Sequence, residues 1–429
     1  MNVIITVSNV IFILCFLYWY SRQNPPWQLI FWPAALLKLM SGIVLGLLYT
    51  YYYQASDTFL FFHDGVCLSN LGRTDFNEYL NFLWDGDRSY AVWQKLQEHQ
   101  YRALLLAKIT SLINLVTADN YWITSLYFSL ISFVCSWRFV LTLVKYFPSQ
   151  KAAAIISFLF VPSVVFWSSG IMKETIALAS IFFITHTFFC LWMQDKISVM
   201  SWTVSVLCVW VLWEIKYYYL AVLAPILCAS LLSRFIISSL FQIKKPGYEI
   251  MVWFIVFILS VYVVSLSRKN FHAEKIAQVI VRNHDVSQSF SKSNGGIHFH
   301  HLQATGFSLI ENTPLALFSG FFRPFIWETT NVFQSILALE NLFILILFIM
   351  ALKNCNEVFQ SSNRLLNLSV IVYSSLLCAF LALSTPNFGT LSRYRVGFLP
   401  FFIFLLMYRN PLVAYFSKFI QRKNSHLVR

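Results

Sequence analysis

The sequence repeatedly runs for about 20 residues with little break in apolar character, and this recurrence limits the fold more than any other feature. An α-helix needs a run of about this length to cross the hydrocarbon core of a bilayer, where its backbone groups must be satisfied internally. The composition agrees, because 58% of the 429 residues are hydrophobic and 11% are charged, whereas soluble domains have about 25% charged residues. The sequence therefore predicts an all-α, polytopic transmembrane protein.

About eleven spans are predicted from these runs: 3–20, 30–52, 121–144, 152–168, 175–193, 198–213, 217–240, 250–266, 331–352, 365–383 and 396–408. The segment 103–118 contains Lys108 and is short for a span, so an interfacial or re-entrant helix is expected there. The whole chain, 1–429, is then a single integral membrane domain. It has two large loops, 53–120 and 267–330, and a basic tail, 409–429.

The net charge of +13 is unevenly distributed along this map. An outside N-terminus and a cytoplasmic C-terminus place nearly all of the basic excess in the cytoplasmic loops and tail, as expected for a membrane protein. Both large loops then face outwards. The basic charge thus reflects topology, and nucleic acid is not expected as a partner. The lipid bilayer is the expected environment of this multi-pass protein.

Ionisable residues collect at the predicted outer ends of the spans. Asp57, His63 and Asp64 follow the second span. Further pairs of charged residues occur in four other predicted outer segments: Lys173 and Glu174, Glu214 and Lys216, Arg323 and Glu328, Arg393 and Arg395. Charges this close to hydrocarbon are costly unless they have a function. We therefore expect them to share one cavity on the outer face.

These residue types suit sugar transfer from a lipid-linked donor. A carboxylate can act as general base towards a sugar hydroxyl, and Asp57 is preferred for this role, with His63 and Asp64 in support. Basic residues can hold phosphates and stabilise the charge of the leaving group. The candidate substrate and phosphate-binding residues are Lys173, Glu174, Lys216, Arg323, Glu328, Arg393 and Arg395. The glycines form no P-loop or GxGxxG pattern, which favours a lipid carrier over a nucleotide sugar.

Structural roles are open for the same residues. Asp57 can simply end a span, and Asp64 with Gly65 can form a turn. The pairs Lys173–Glu174 and Arg323–Glu328 can be local ion pairs, and Arg393 and Arg395 can extend towards the membrane surface.

The histidine-rich segment 295–301 contains His298, His300 and His301, which invites a metal site. A mobile loop with glycine hinges is preferred. No cofactor is firmly implied, and a divalent cation is left open.

Four stretches resemble the GT-C superfamily of polyprenyl-linked membrane glycosyltransferases and the related Wzy-type polymerases of bacterial surface polysaccharides. They are Asp57-Thr58-Phe59, PSVVFWSSGIMKE (162–174), FFRPFIWE (321–328) and GTLSRYRVGFLPF (389–401). The resemblance implies a catalytic aspartate in the first large outer loop, which corresponds to Asp57. It also implies outer-face arginines that grip pyrophosphate, which suits Arg323, Arg393 and Arg395.

The expected function is glycosyl transfer from a polyprenyl phosphate or pyrophosphate donor at the outer face of the inner membrane. The expected substrate is a polyprenyl-linked glycan, and other polysaccharide-assembly proteins are candidate partners. Three alternatives remain: an oligosaccharide repeat-unit polymerase of the Wzy type, a flippase or transporter for lipid-linked oligosaccharide, and a structural membrane subunit without chemistry.

Overall fold

The computed structural model describes residues 2–53, 57–241, 246–267, 273–289, 295–353, 363–408 and 410–413. Over these ranges the chain is helical, and the one strand-like pairing is an isolated bridge between Gly296 and Asn387. The α-helices, in chain order, are α1 Asn2–Arg22, α2 Gln28–Tyr51, α3 Asp57–Thr74, α4 Phe76–Asp85, α5 Tyr101–Thr117, α6 Tyr121–Tyr146, α7 Lys151–Ile155, α8 Pro162–Trp167, α9 Lys173–Trp192, α10 Val199–Ile236, α11 Pro246–Ser267, α12 Ala273–Ser289, α13 Gly306–Phe322, α14 Val332–Leu352, α15 Arg364–Ser384, α16 Phe388–Tyr394 and α17 Leu399–Met407.

Within the described ranges, eight helices are long and apolar enough to cross a membrane: α1, α2, α6, α9, α10, α11, α14 and α15. A ninth span results if Phe388–Gly397 and Leu399–Met407, which are bent by 68° relative to each other, count as one. The prediction of an all-α, polytopic membrane protein is confirmed.

Helix α10 combines two predicted spans, 198–213 and 217–240. Its 38 residues correspond to about 57 Å of helix at about 1.5 Å per residue, nearly twice the thickness of a bilayer core of about 30 Å. The helical conformation is interrupted at Lys216, where φ is −143° and ψ is 66°. The run is therefore long enough for two spans, and it has a break between them.

The predicted span 152–168 is not one continuous helix. It contains α7, a π-helical turn Ile156–Phe160 and α8, which begins at Pro162. Proline has no N–H to donate and disfavours a helical residue before it, and Val161 is extended. The last predicted span, 396–408, contains α17. Most of the predicted basic tail, residues 409 and 414–429, lies outside the described ranges.

The chain divides into two compact units. Unit 1 comprises Met1–Thr142 and Val164–Tyr217, and unit 2 comprises Leu143–Ser163 and Tyr218–Arg429. Unit 1 thus contains the first predicted large loop, and unit 2 contains the second. Their action as a single membrane domain stays a prediction.

In unit 1, small residues let α2 approach α6 and the turn before α9. The Ser125 hydroxyl donates to the Gly42 carbonyl over 3.2 Å, and the Gly170 N–H donates to Ser129 Oγ over 2.9 Å. A Cβ added to Gly42 would lie 2.3 Å from Ser129 Oγ. Nearer the start of α2, the Phe31 ring packs edge-on against the Trp137 ring, with the ring centroids 5.0 Å apart. This contact region therefore has no room for a larger residue at position 42.

The first large loop is a packed helical structure. Helices α3 and α5 are in close contact, and a Cβ on Gly65 would lie 2.6 Å from the Thr110 side chain. A buried apolar cluster that includes Leu68, Phe82 and Leu104 joins them to α4. The predicted helix at 103–118 is thus present as α5, while its interfacial or re-entrant position stays a prediction.

In unit 2, α13 packs against α15 at Gly320, where an added Cβ would lie 2.5 Å from Cys378 Sγ. Trp253 of α11 donates to Ser230 Oγ over 3.1 Å, and Ser230 and Ser369 hydroxyls are 2.7 Å apart. Hydroxyls and an indole N–H thereby satisfy one another between helices, as an apolar environment requires.

Replacing Gly42 with Ala should destabilise the protein, because the new methyl group displaces Ser129 Oγ, the acceptor of the Gly170 N–H. Overpacking of this kind costs about 1–3 kcal/mol. The thermal unfolding midpoint of the detergent-solubilised protein measures the effect. Gly247→Ala is the matched control, since an added Cβ there meets no atom within 4 Å. Equal midpoints for Gly42→Ala and the wild type would contradict the packing described.

Candidate active site

Asp57 is the first residue of α3 and is half-buried. A carboxylate in the first turn is favoured by the positive end of the helix dipole. Phe61 follows one turn later on the same helix face, and its ring is buried, with 4% of its surface exposed. Asp57 therefore lies beside a buried aromatic ring.

Lys173 begins α9 and reaches the same ring. Its Nζ lies 4.9 Å from the centroid of Phe61, a distance at which an ammonium is attracted by the ring face. Because Asp57 and Phe61 share one face of α3, the Lys173 ammonium lies on the side of the helix that carries the Asp57 carboxylate. Both predicted site residues thus neighbour Phe61, Asp57 along α3 and Lys173 through space.

Glu174 and Lys216 form a buried ion pair. Lys216 Nζ donates to Glu174 Oε1 over 2.7 Å, and the Lys216 and Glu174 side chains are 4% and 0% exposed. The pair joins the start of α9 to the break in α10. Charges removed from water need such compensation, and loss of one partner leaves the other buried without it. The pair therefore fixes the break at Lys216 relative to α9.

One apolar cluster lies beneath these groups. It includes Phe61, Ile171, Ile176 and Ile215, and all four are buried. Each is a near neighbour in sequence of one of the charged residues, so the packing of the cluster also sets where the charges lie. We call Asp57, Lys173, Glu174, Lys216 and this apolar base the Phe61 site.

Asp64 has a structural explanation. Its buried carboxylate accepts the backbone N–H groups of Gln97 and Glu98 over 2.8 and 3.1 Å. Burial raises the pKa of Asp64, against the opposing effect of these hydrogen bonds and of His63. His63 Nδ1 is 3.6 Å from Asp64, and about half of its side chain is exposed. Asp64 thus fixes the segment that leads into α5, and a supporting role in catalysis stays a prediction.

Arg102, in the first turn of α5, was missed by the sequence analysis. Its side chain is exposed, and its guanidinium carbon lies 4.4 Å from the centroid of the Tyr217 ring. The neighbouring Ala103 belongs to the apolar cluster of the Phe61 site, and Tyr217 follows Lys216. The available signal was weak, since one arginine in a charged loop does not reveal its aromatic partner 115 positions later in the sequence.

In unit 2, Arg323 and Glu328 form an ion pair. Arg323 Nε donates to both carboxylate oxygens of Glu328, over 2.9 and 3.1 Å, and the guanidinium carbon lies 5.0 Å from the centroid of the Phe388 ring. Burial alone would raise the pKa of Glu328, but hydrogen bonds from Arg323 and from the Phe325 N–H hold it below its ordinary value. The open interpretation of this pair as a local ion pair is thus realised.

Arg395 is 1% exposed and is enclosed by protein groups. Its guanidinium donates to the Asn341 side-chain oxygen over 2.7 Å and to the Arg323 carbonyl over 3.1 Å. Asn341 in turn donates to the Pro324 carbonyl over 3.1 Å. Arg395 and Asn341 therefore clamp the backbone that carries Arg323, and in this conformation Arg395 faces protein oxygens.

Arg393 and Glu340 complete the polar residues of this region. Arg393 is half-buried, and its guanidinium carbon is 5.8 Å from the centroid of the Tyr394 ring. The Glu340 carboxylate accepts both the N–H and the hydroxyl of Ser163. Glu340 and Asn341 were missed, although an acidic residue inside the predicted span 331–352 was a signal that could have found Glu340.

The predicted site residues thus fall into two sets. The first set belongs to unit 1 and the second, the arginines with Glu328, to unit 2. The members of the first set are Asp57, His63, Asp64, Lys173, Glu174 and Lys216. The expectation of one cavity shared by both sets stays a prediction.

The described residues contain no group of three or more His, Cys, Asp or Glu side chains placed to hold a metal ion. His298, His300 and His301 are exposed. Their segment is held at Ile297, whose N–H donates to the Pro386 carbonyl over 2.9 Å.

Removing one partner of the buried pair should destabilise the protein strongly, while removing both should cost less than the sum. Glu174→Gln or Lys216→Met alone is expected to cost about 3–5 kcal/mol, because each leaves a buried charge unpaired. Thermal unfolding of the two single variants and the double variant gives the coupling between them. Strictly additive losses would show that the two charges do not stabilise each other.

The Arg323–Glu328 pair should make stability depend on acid pH. Because the pKa of Glu328 is below its ordinary value of 4.5 in the folded protein, its contribution is present above about pH 4.5 and is lost as the pH falls through the lower folded value. The wild type should therefore unfold at a higher temperature than Glu328→Gln at pH 7, and the difference should shrink towards pH 3. A difference that stays constant or grows on acidification would contradict this assignment.

The chain matches no protein-family model, no curated protein and no solved structure. What can be inferred about its function therefore comes from its own residues and their geometry.

Proposed function

We propose that this chain is a membrane glycosyltransferase that uses a sugar donor linked to polyprenyl phosphate or pyrophosphate. In this proposal the Phe61 site faces outwards from a bacterial inner membrane, with the N-terminus outside and the C-terminus in the cytoplasm. The reaction contributes to a surface polysaccharide or another glycoconjugate. The observation that carries the proposal is the Lys173 ammonium over the ring of Phe61, the residue one helical turn after Asp57 on the same face of α3.

The chemistry needs a base and a group that stabilises the leaving phosphate. The Asp57 carboxylate takes the proton from an acceptor hydroxyl while the oxygen of that hydroxyl bonds to the anomeric carbon of the donor sugar. The bond from that carbon to the phosphate oxygen breaks, and the phosphate leaves with its bonding electrons. A cation fixed beforehand beside this oxygen stabilises the developing charge without reorganisation. Lys173 is the candidate for this role.

The buried pair of Glu174 and Lys216 supports the proposal by fixing the position of the catalytic groups. Its 2.7 Å hydrogen bond ties the start of α9, and with it Lys173, to the break in α10. A displacement of about 1 Å in such a site can reduce the rate by about 100-fold. Glu174 and Lys216 are therefore positioning residues in this account.

In unit 2, the partly exposed Arg393 favours the polymerase variant of the same chemistry, with Arg393 as a pyrophosphate contact. Arg395 then acts through the backbone of Arg323 and not by touching phosphate. The flippase alternative is favoured by ionisable groups inside predicted spans, of which Lys38 is the most buried, with 6% of its surface exposed. Lys38 donates to Ser168 Oγ over 2.5 Å, so its polar end already has a protein partner.

Asp57→Asn should abolish glycan formation while leaving the protein folded. Loss of a general base lowers the rate by about 100- to 10,000-fold, and asparagine keeps the shape of the side chain. The measurement is surface polysaccharide in cells that depend on the variant, with protein level and unfolding temperature followed in parallel. Asp87→Asn is the matched control, because Asp87 is exposed in the same loop and lies outside the Phe61 site. Normal polysaccharide from Asp57→Asn would remove Asp57 from the mechanism.

A further inference from the structure

Arg102 combines three properties that suit anion binding. Its side chain is exposed, its guanidinium carbon lies over the Tyr217 ring at 4.4 Å from the centroid, and it forms no ion pair with any residue in the part of the chain that the structure describes. Two other arginines of the predicted outer segments form ion pairs: Arg73 with Asp119 over 2.5 Å, and Arg323 with Glu328. Arg102 therefore presents a cation at the edge of the Phe61 site without a carboxylate to neutralise it.

Stacking prepares this guanidinium for a phosphate. A planar guanidinium held against an aromatic ring keeps the N–H donors at its edges available, and their fork matches two oxygens of a phosphate group. Part of the rotamer entropy of the side chain is already lost in the stack, so less is lost when the ligand binds. A lysine at the same position would have neither the planar stack nor the two-point contact.

Both elements that carry this pair are fixed in position. The Asp64 carboxylate holds the backbone at Gln97 and Glu98, just before α5. Ala103 is buried in the apolar cluster of the Phe61 site. On the other side, Tyr217 follows Lys216, which the buried pair with Glu174 ties to α9. The stack therefore occupies a defined place next to the site.

We propose that Arg102, stacked on Tyr217, binds the phosphoryl group of a lipid-linked ligand at the edge of the Phe61 site. The inference deepens the proposed function and rests on it for the identity of the ligand, which is then the polyprenyl-linked donor. The phosphoryl group of an ordinary bilayer phospholipid offers the same chemistry. Both sources share a phosphate at the end of a hydrocarbon chain.

The test measures ligand binding by the full chain in lipid nanodiscs. The probes are a polyprenyl phosphate, the matching polyprenol without phosphate, and an anionic phospholipid with a phosphate headgroup. Loss of a charge-assisted contact should weaken polyprenyl phosphate binding by about 10- to 100-fold in Arg102→Ala. Arg102→Lys should recover part of the affinity. Binding of the polyprenol should be unchanged, because it has no phosphate.

Arg88→Ala is the matched control. Arg88 is also exposed and also lies over an aromatic ring, that of Trp93 at 5.5 Å, but Trp93 belongs to the separate cluster that contains Phe82. This variant loses the same charge and the same kind of stack and should bind polyprenyl phosphate like the wild type. Unfolding temperatures of all variants show whether Arg102→Ala is folded. If it is not, the comparison uses Arg102→Lys, which retains the charge and should bind polyprenyl phosphate more weakly than the wild type.

Several outcomes would overturn the inference: undiminished polyprenyl phosphate binding by Arg102→Ala, equal losses for phosphate and polyprenol, or an equal loss in Arg88→Ala. Arg102-dependent binding of either phosphorylated lipid would support it, and the stronger binder identifies the source of the phosphate. The proposed function fails separately. If Asp57→Asn leaves the glycan unchanged while Arg102→Ala loses phosphate binding, the phosphate site stands and the transferase does not.

Discussion

Charge in an apolar interior must be compensated locally, and the pair of Glu174 and Lys216 is where this constraint shapes the structure most. Two full charges lie 2.7 Å apart with almost no exposed surface. Burial of either one alone would cost several kcal/mol. The pair therefore links the position of α9 to the break in α10. Lys173 and Tyr217 are neighbours of the pair in sequence. The pair therefore also restricts the positions of Lys173, proposed for the chemistry, and of Tyr217, which lies beneath the proposed phosphate-binding arginine.

The same constraint gives the two units different polar interiors. In unit 1 the charged groups border an apolar cluster, and the exposed Arg102 lies at its edge. In unit 2, the Arg395 guanidinium donates to the Arg323 carbonyl and the Asn341 amide donates to the Pro324 carbonyl. A buried arginine can thus support a site by holding the backbone that carries another residue of that site. Hydrogen-bonded networks of this kind restrict movement, because a displacement leaves a buried polar group unpaired.

The sequence predicted the membrane architecture well, because runs of apolar residues and helix length depend on local composition. It also selected Lys173, Glu174 and Lys216, which are sequence neighbours of residues in one buried cluster, and Asp57, which precedes Phe61 of that cluster by one helical turn. The break at Lys216 coincides with the predicted turn between 198–213 and 217–240, but the pairing of Lys216 depends on Glu174, 42 positions earlier in the sequence. Arg395 was expected to face phosphate, whereas its partner Asn341 turns it inwards. Arg102 was missed because its partner Tyr217 is distant in sequence, and no local pattern encodes such a contact.

In the proposed function, unit 1 holds the phosphate of a lipid-linked ligand beside the charged residues of the Phe61 site. Electron cryo-microscopy of the full chain in a lipid nanodisc with a polyprenyl diphosphate would locate this phosphate. The expected map has phosphate density in contact with Arg102 and next to Lys173, with Lys216 and Glu174 still paired and buried. Phosphate density bound away from these residues, or a separated and solvated Lys216 and Glu174, would contradict it.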